Sequence, residues 1–186
     1  MSGVSTAPGV RAVGETALVV VVEAVEPAVG RWRARYDRSA GAGVPPHVTV
    51  LYPFLPLAEV TDGVLRHLGE IFAAEPAFRL TFTQVRRFAA DVLWLAPEPA
   101  GPFRRLTHAV WRAWPHRPPY GGAHAEVTPH LTIAERADGD VFDEIAADVD
   151  HALPCVTRVT HGQLLAMGDD AWSTRATFAF GPGVTS

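Results

Sequence analysis

The sequence contains no lysine, no asparagine and a single cysteine, Cys155. One cysteine excludes an intrachain disulfide framework, so the fold has to be stabilised by its apolar core. All sixteen basic residues are arginine, and twenty acidic residues outnumber them, which gives a formal net charge of −4. This charge disfavours a surface built to hold long nucleic acids electrostatically, although it is compatible with a local basic patch.

Long hydrophobic runs are also absent. The most apolar run, "ALVVVV" from Ala17 to Val22, is interrupted by Glu23 and is too short to span a bilayer. It lacks the small-residue cleavage pattern of a signal peptide as well. We therefore expect a cytoplasmic protein with no membrane partner.

The 186 residues fit one domain, and a composition of 48% hydrophobic and 19% charged residues is typical of a globular protein. The first fifteen residues, rich in small and polar types, are predicted to form a flexible tail, and residues 16–186 a single domain. Hydrophobic periodicity and turn residues predict the elements of that domain. Strands are expected at 16–25, 47–52, 78–85, 91–97, 130–135, 155–167 and 173–180, and helices at 27–38, 58–75, 101–115 and 138–153.

The order of these elements repeats itself. The first half reads strand, helix, strand, helix, strand, strand, and the second half follows with helix, strand, helix, strand, strand. An internal duplication of about 80 residues is the simplest explanation. No linker separates the halves, so we expect an α+β fold in which two lobes pack together.

A short motif recurs at the same place in each half. "PHVTV" at Pro46–Val50 returns as "PHLTI" at Pro129–Ile133. A His-x-Thr spacing alone is expected about 0.6 times by chance, and roughly 0.01 times once the proline and the flanking apolar residues are required. Two occurrences therefore indicate a common role for both motifs.

Residues i and i+2 of a strand lie on one face, so His47 shares a face with Thr49, and His130 with Thr132. Brought together by a pseudo-two-fold axis, two imidazoles can act as general acid and general base near neutral pH. The two threonine hydroxyls can donate hydrogen bonds to anionic oxygens. This set suits a phosphodiester as substrate and requires no metal and no cofactor.

The paired motifs resemble those of the 2H phosphoesterase superfamily, and most closely its 2′-5′ RNA ligase and cyclic phosphodiesterase branch. The resemblance covers roughly residues 17–181. It implies a duplicated bilobal fold with two antiparallel sheets flanking a central cleft and helices outside. It also implies metal-independent action on 2′,3′-cyclic or 2′-5′ phosphodiesters of nucleotides or short RNA ends. In this resemblance His47 and His130 match the catalytic histidines, and Thr49 and Thr132 the phosphate-binding threonines.

Other residues are weaker candidates. Tyr52 and Tyr120 are expected to line the cleft and bind substrate. Arg86 and Arg87 are interpreted as a solvated hairpin tip, and Trp94 as a core residue. After the second motif come Glu135 and Arg136, where the ligase-like branch often has an arginine sooner.

Two alternative functions stay open. The chain could be a nucleotide- or phosphate-binding module of the same fold that does not turn substrate over. Alternatively, His47, His130 and the loop residue His124 could supply three nitrogens to a zinc ion, although the close histidine pairs usual in metal sites are missing. In each case we expect a monomer.

Overall fold

A computed structural model describes residues 12–89, 91–122 and 127–183. Within these ranges the chain forms eight strands and five α-helices. The strands are β1 (Thr16–Val21), β2 (His47–Leu51), β3 (Phe78–Phe88), β4 (Val92–Glu98), β5 (Leu131–Glu135), β6 (Cys155–Val159), β7 (His161–Met167) and β8 (Trp172–Ala179). The helices are α1 (Glu26–Tyr36), α2 (Arg38–Gly41), α3 (Asp62–Ala74), α4 (Gly101–Ala113) and α5 (Gly139–Asp150).

The strands form two four-stranded antiparallel sheets, which confirms the predicted fold class. Sheet 1 has the strand order β2-β1-β7-β8, and sheet 2 has the order β5-β4-β3-β6. In each sheet the strand that carries a His-x-Thr motif lies at the edge and pairs with the strand that precedes it along the chain. The two sheets therefore have the same plan, as the internal duplication predicts.

The helices cover one face of each sheet. Helix α4 packs on β2, α3 on β8, α1 on β5 and α5 on β3. The side chains between sheets and helices form one continuous apolar cluster that includes residues of all eight strands. Helix α1 of the first half packs on β5 of the second half, and helix α4 of the second half packs on β2 of the first. The two halves therefore share one core.

The opposite face of each sheet is the face that carries the motif side chains. We call it the cleft face: on sheet 1 it carries His47 and Thr49, and on sheet 2 it carries His130 and Thr132. The motif strands β2 and β5 contact each other, so the two cleft faces meet along these edges.

One predicted element is wrong. Residues 155–167 form two strands instead of one, and the chain passes at Thr160 from β6 in sheet 2 to β7 in sheet 1. Both strands are amphipathic, so their hydrophobic pattern does not reveal that they belong to different sheets. Gly162 allows the crossing to pass beneath α3, because a Cβ there would lie 2.1 Å from Cε1 of the buried Phe72.

The helix and chain termini agree with the sequence in part. Thr61 caps α3, since its Oγ1 accepts a hydrogen bond of 3.3 Å from the Val64 amide. Asp138 occupies the N-cap position of α5, as predicted, but its side chain makes no capping hydrogen bond. Of the predicted N-terminal tail, residues 1–11 lie outside the described residues, whereas Gly14 donates through its amide to the Met167 carbonyl.

Candidate functional site

The two motifs lie on facing edge strands with matching alternation. In β2, His47 and Thr49 are half-buried while Val48 and Val50 are buried in the core. In β5, Thr132 is half-buried between the buried residues Leu131 and Ile133. The apolar partners anchor each strand to the core, so the polar side chains are held on the cleft face.

Both motif histidines make the same backbone contact. Nδ1 of His47 lies 2.9 Å from the carbonyl oxygen of Pro45, and Nδ1 of His130 lies 2.8 Å from that of Thr128. A carbonyl only accepts, so each ring donates through its Nδ1–H to the residue two positions before it. This contact orients the ring and leaves proton exchange with a ligand to Nε2.

The environment of His47 disfavours its protonated form. Burial is the largest cause of a pKa lowered to about 4, and the charges of Arg33 and His130 lower it further. The hydrogen bond to Pro45 and the charge of Asp37 act in the opposite direction. His47 is therefore neutral at pH 7.

A buried ion pair supports the segment that leads into His47. Arg33 on α1 is 2% exposed, and its Nη2 lies 2.7 Å from Oδ2 of Asp37. The same guanidinium donates to Oγ of Ser39 at 3.1 Å and to the carbonyl of Val44 at 3.2 Å. Helix α1 also packs on β5, so a single helix contacts the second motif strand and, through Arg33, the loop that leads into the first.

Tyr120, which the sequence predicts to line the cleft, lies against Thr49. Its phenol hydrogen-bonds the Thr49 side chain, which partly offsets the burial that raises the pKa of Tyr120 to about 12. Its amide donates to the carbonyl of Tyr52 at 2.8 Å, which ties the loop to the end of β2. The φ of Tyr120 is +51°, a left-handed conformation that is uncommon for a bulky residue and indicates a local constraint.

Tyr52 packs on the cleft face of sheet 1 with its hydroxyl turned away from Thr49. The hydroxyl donates to Oε2 of Glu15 at 2.8 Å, and the ring meets Trp172 edge-on at 6.1 Å between centroids. The surrounding apolar cluster includes Ala17 and Val19. Tyr52 therefore contributes a ring to the wall of the cleft.

Two aromatic rings beside His130 were not predicted as site residues. The His130 ring meets Phe88 at 5.0 Å and Trp94 at 6.0 Å, both edge-on, and the two aromatic rings stack at 4.5 Å. Trp94 is 5% exposed but lies outside the main core, because it pairs directly with Thr132 and so shares its face. Its position out of phase with Leu93 and Leu95 in "DVLWLAP" is the sequence signal that could have shown this.

The two arginines interpreted as a hairpin tip lie inside β3, on opposite faces. The Arg86 guanidinium lies 5.9 Å from the Trp94 ring centroid and donates to Oε1 of Gln84, so it belongs to the cleft face. Arg87 forms an ion pair with Asp143 of α5 on the helix side. Both arginines are exposed and lie within three residues of the β3–β4 turn, so the solvated position is as interpreted, but each also has a partner within the sheet or on α5.

Arg136, which follows the second motif, leaves the strand. Its φ is +54°, and its amide donates to the carbonyl of Asp91. The side chain is exposed at the end of β5.

The zinc alternative falls partly outside the structure, because His124 lies among residues that it does not describe. Within the described ranges, no group of three or more His, Cys, Asp or Glu side chains is arranged to hold a metal ion. No helix in the same ranges is both long and apolar enough to cross a membrane.

Comparison with known proteins gives concordant results. A family model described as the 2′-5′ RNA ligase superfamily matches residues 21–171. A candidate phosphoesterase of Geobacillus kaustophilus is 27% identical over 157 residues, 81% of this chain and 86% of the relative. One from Bacillus licheniformis is also 27% identical, over 117 residues, 61% of this chain and 66% of the relative.

Solved structures show the same fold. Escherichia coli LigT complexed with 3′-AMP matches with a TM-score of 0.59 at 18% identity, covering 91% of this chain and 99% of LigT. A Thermus thermophilus protein matches with a TM-score of 0.60 at 18% identity, covering 89% of this chain and 97% of that protein. Two matched sheets with paired His-x-Thr edge strands, together with the family match over most of the chain, lead to one conclusion: this protein belongs to the 2′-5′ RNA ligase superfamily of 2H phosphoesterases.

Proposed function

We propose that this protein is a metal-independent phosphodiesterase that acts on 2′,3′-cyclic or 2′-5′ phosphodiesters of nucleotides or RNA ends. The observation that carries the proposal is the symmetry of the site. His47 and His130 lie on facing edge strands, and each donates through Nδ1 to the carbonyl two residues before it. Two imidazoles oriented alike around one space can serve as general base and general acid for a single substrate.

The environment of His47 supports its assignment as the general base, which leaves the role of general acid to His130. His47, with its pKa lowered to about 4, is neutral at pH 7 and would take a proton from the attacking water through Nε2. His130, oriented by its hydrogen bond to Thr128, would be the general acid and would protonate the departing sugar oxygen. Water oxygen would bond to phosphorus as the bond to the 2′ or 3′ oxygen breaks, so one proton enters His47 and one leaves His130.

The hydroxyl groups would hold the phosphate. Thr49 and Thr132 are placed on the cleft face beside the two histidines and would donate to the non-bridging oxygens as charge develops on them. Tyr120, whose raised pKa keeps the phenol protonated at pH 7, would fix the Thr49 hydroxyl through their hydrogen bond. Tyr52 would bound the ligand as an aromatic wall.

Nucleotide complexes of the structural relative support the proposed substrate class. Escherichia coli LigT, whose fold this chain shares, has been crystallised with 3′-AMP and with NADP+. Both ligands contain a ribose bearing phosphate. A nucleotide with a phosphodiester or phosphate on the sugar is accordingly the ligand that we assign to this cleft.

The experiment is incubation of the purified protein with each of the four 2′,3′-cyclic nucleotides, with and without EDTA, and separation of 2′- from 3′-phosphate products. We expect one product isomer to accumulate at the same rate in both conditions. Tight nucleotide binding without product over several hours would favour the non-catalytic binding module instead. A rate that EDTA abolishes would contradict metal independence.

A further inference from the structure

The cleft face of sheet 1 carries an amide side chain two strands away from the first motif. Gly162 of β7 faces the helices, because a Cβ there would meet the buried Phe72 ring of α3. Neighbouring residues of a strand alternate between the two faces, so Gln163 projects onto the cleft face. The register agrees, since Val19 of β1 pairs with Thr49 on one side and with Gln163 on the other. Thr49, Val19 and Gln163 therefore form one row across the cleft face.

A β-bulge in β8 brings two threonines to the end of this row. Thr177 pairs with Gln163, and Thr174 pairs with Leu165. Between these two pairs β8 contains one residue more than β7, so its alternation shifts by one. Gln163 and Leu165 share a face, so Thr174 and Thr177 share it too, although three positions separate them. Both threonines are exposed, and this part of the cleft face is therefore open to a ligand.

One of these threonines holds the Gln163 amide and leaves its N–H groups unused. The Thr174 hydroxyl donates to Oε1 of Gln163 at 3.2 Å. Among the residues that the structure describes, no hydrogen bond uses the amide nitrogen of Gln163, so both of its N–H groups are left for another acceptor. The nearest residues on this face, Val19 and Leu165, are buried and apolar. A half-buried amide that presents free donors beside an apolar surface is suited to recognising an acceptor on a ligand.

We propose that Gln163 recognises the nucleobase of the substrate and selects bases with a carbonyl oxygen on the edge far from the sugar. Guanine and uracil carry such an oxygen, whereas adenine and cytosine carry an amino group at the same position. The Gln163 amide donates to the carbonyl oxygen, but it meets the amino group donor to donor. A donor left without an acceptor disfavours the wrong base. This inference rests on the proposed function and adds the base preference of the same cleft.

The dimensions of the sheet agree with this assignment. Adjacent strands lie about 4.8 Å apart, so the backbone at Gln163 lies roughly 10 Å from that at Thr49, the residue assigned to the phosphate. This separation is about the span of a nucleotide from its cyclic phosphate to the far edge of its base. Val21, which pairs with His47 on the intervening strand β1, is half-buried and provides an apolar surface for the ring of the base.

The test compares two purine substrates of nearly equal shape. Inosine 2′,3′-cyclic phosphate has a carbonyl at the far edge of its base, and adenosine 2′,3′-cyclic phosphate has an amino group there. We expect the wild-type kcat/KM to be about five- to tenfold higher for inosine, the effect of one neutral hydrogen bond. Gln163→Leu removes the donors, so the two values should become equal within about twofold. Gln163→Glu replaces the donors by acceptors and should reverse the preference. The matched control is Gln84→Leu in β3 of sheet 2, which should keep the wild-type ratio.

Equal kcat/KM values for the two nucleotides in the wild-type protein, or an unchanged ratio in Gln163→Leu, would overturn the inference while leaving the proposed function intact. A Gln163→Glu variant that still prefers inosine would contradict the donor role. Gln163→Leu places an apolar side chain beside Val19 and Leu165, so its melting temperature should not fall.

If the wild-type protein hydrolysed neither nucleotide, the proposed function would fail, and calorimetric binding of inosine and adenosine 3′-monophosphates would decide. Tighter binding of the inosine nucleotide that is lost in Gln163→Leu but kept in Gln84→Leu supports the base contact. Equal affinities for the two nucleotides, or binding of neither, refute it.

Discussion

The buried Arg33–Asp37 pair gives a prediction in which stability and catalysis can be separated. Replacing Arg33 by Met leaves the Asp37 carboxylate, itself 5% exposed, without its cation. Removing one partner of a buried ion pair costs roughly 3–5 kcal/mol, because the remaining charge stays desolvated. Ser39 still donates to Asp37 through its amide and its hydroxyl, so we expect the lower part of that range, about 3 kcal/mol.

The second variant, R33M/D37L, removes both charges. Apolar replacement of a buried pair is often neutral, but D37L also removes the acceptor of the Ser39 amide and hydroxyl, so only part of the lost free energy of unfolding should return. The carbonyl of Val44 still lacks the donor that Arg33 supplies, and this carbonyl lies one residue before the one that orients His47. We therefore expect kcat to stay reduced, about tenfold or more, with a small change in KM.

Urea unfolding gives the two free energies, and steady-state hydrolysis of a 2′,3′-cyclic nucleotide gives kcat and KM. A cost below about 1 kcal/mol for Arg33→Met would refute the reasoning about the buried pair. Recovery of kcat along with stability in R33M/D37L would show that Arg33 has a structural role only and does not position His47.

Three further predictions concern single residues. The pKa of His47 is 6.5 in the unfolded chain and about 4 in the folded protein, so the unfolded chain binds more protons between these two pH values. The free energy of unfolding therefore decreases as the pH falls from 6.5 toward 4, by at most about 3 kcal/mol from this residue. In His47→Gln, urea unfolding from pH 4 to 7.5 should show a shallower loss, and an unchanged slope would contradict the burial of the ring. Tyr120→Phe removes the hydrogen bond to Thr49 and should lower kcat about fivefold in the cyclic nucleotide assay, whereas wild-type kcat would exclude a role for the phenol. Gly162→Ala should cost about 1–3 kcal/mol in urea because its Cβ meets the buried Phe72 ring, while Gly69→Ala, with open space around it, should not destabilise.

Much of the fold follows from local patterns in the sequence. Strand β2 and the C-terminal end of α3 lie near their predicted boundaries, because period-2 and helical apolar spacing are local signals. Helix α3 begins four residues later than predicted, at Asp62, after the capping residue Thr61. The presence of two equivalent His-x-Thr strands, one in each sheet, follows from the recurrence of the motif in the sequence. Each such feature depends on residues close together in the chain.

Features that depend on contacts between segments distant in the chain could not be predicted in this way. The passage from β6 to β7 at Thr160 changes sheets without a change in hydrophobic pattern. The bulge in β8, which places Thr174 and Thr177 on one face, is visible only from the register with β7. The contact of Arg33 with Val44 joins a helix to a loop through a buried charge, which no apolar periodicity encodes.

The central claim is that His47 and His130 act together on one phosphodiester. The most direct measurement is the pH dependence of kcat/KM for a 2′,3′-cyclic nucleotide with the wild-type protein and with H47A, H130A and H108A, the last an exposed histidine on α4. We predict a bell-shaped profile for the wild-type protein and for H108A, and losses of roughly 10²–10⁴ in each of the other two variants with folding intact. Activity in H47A or H130A within about tenfold of the wild-type value would contradict the claim.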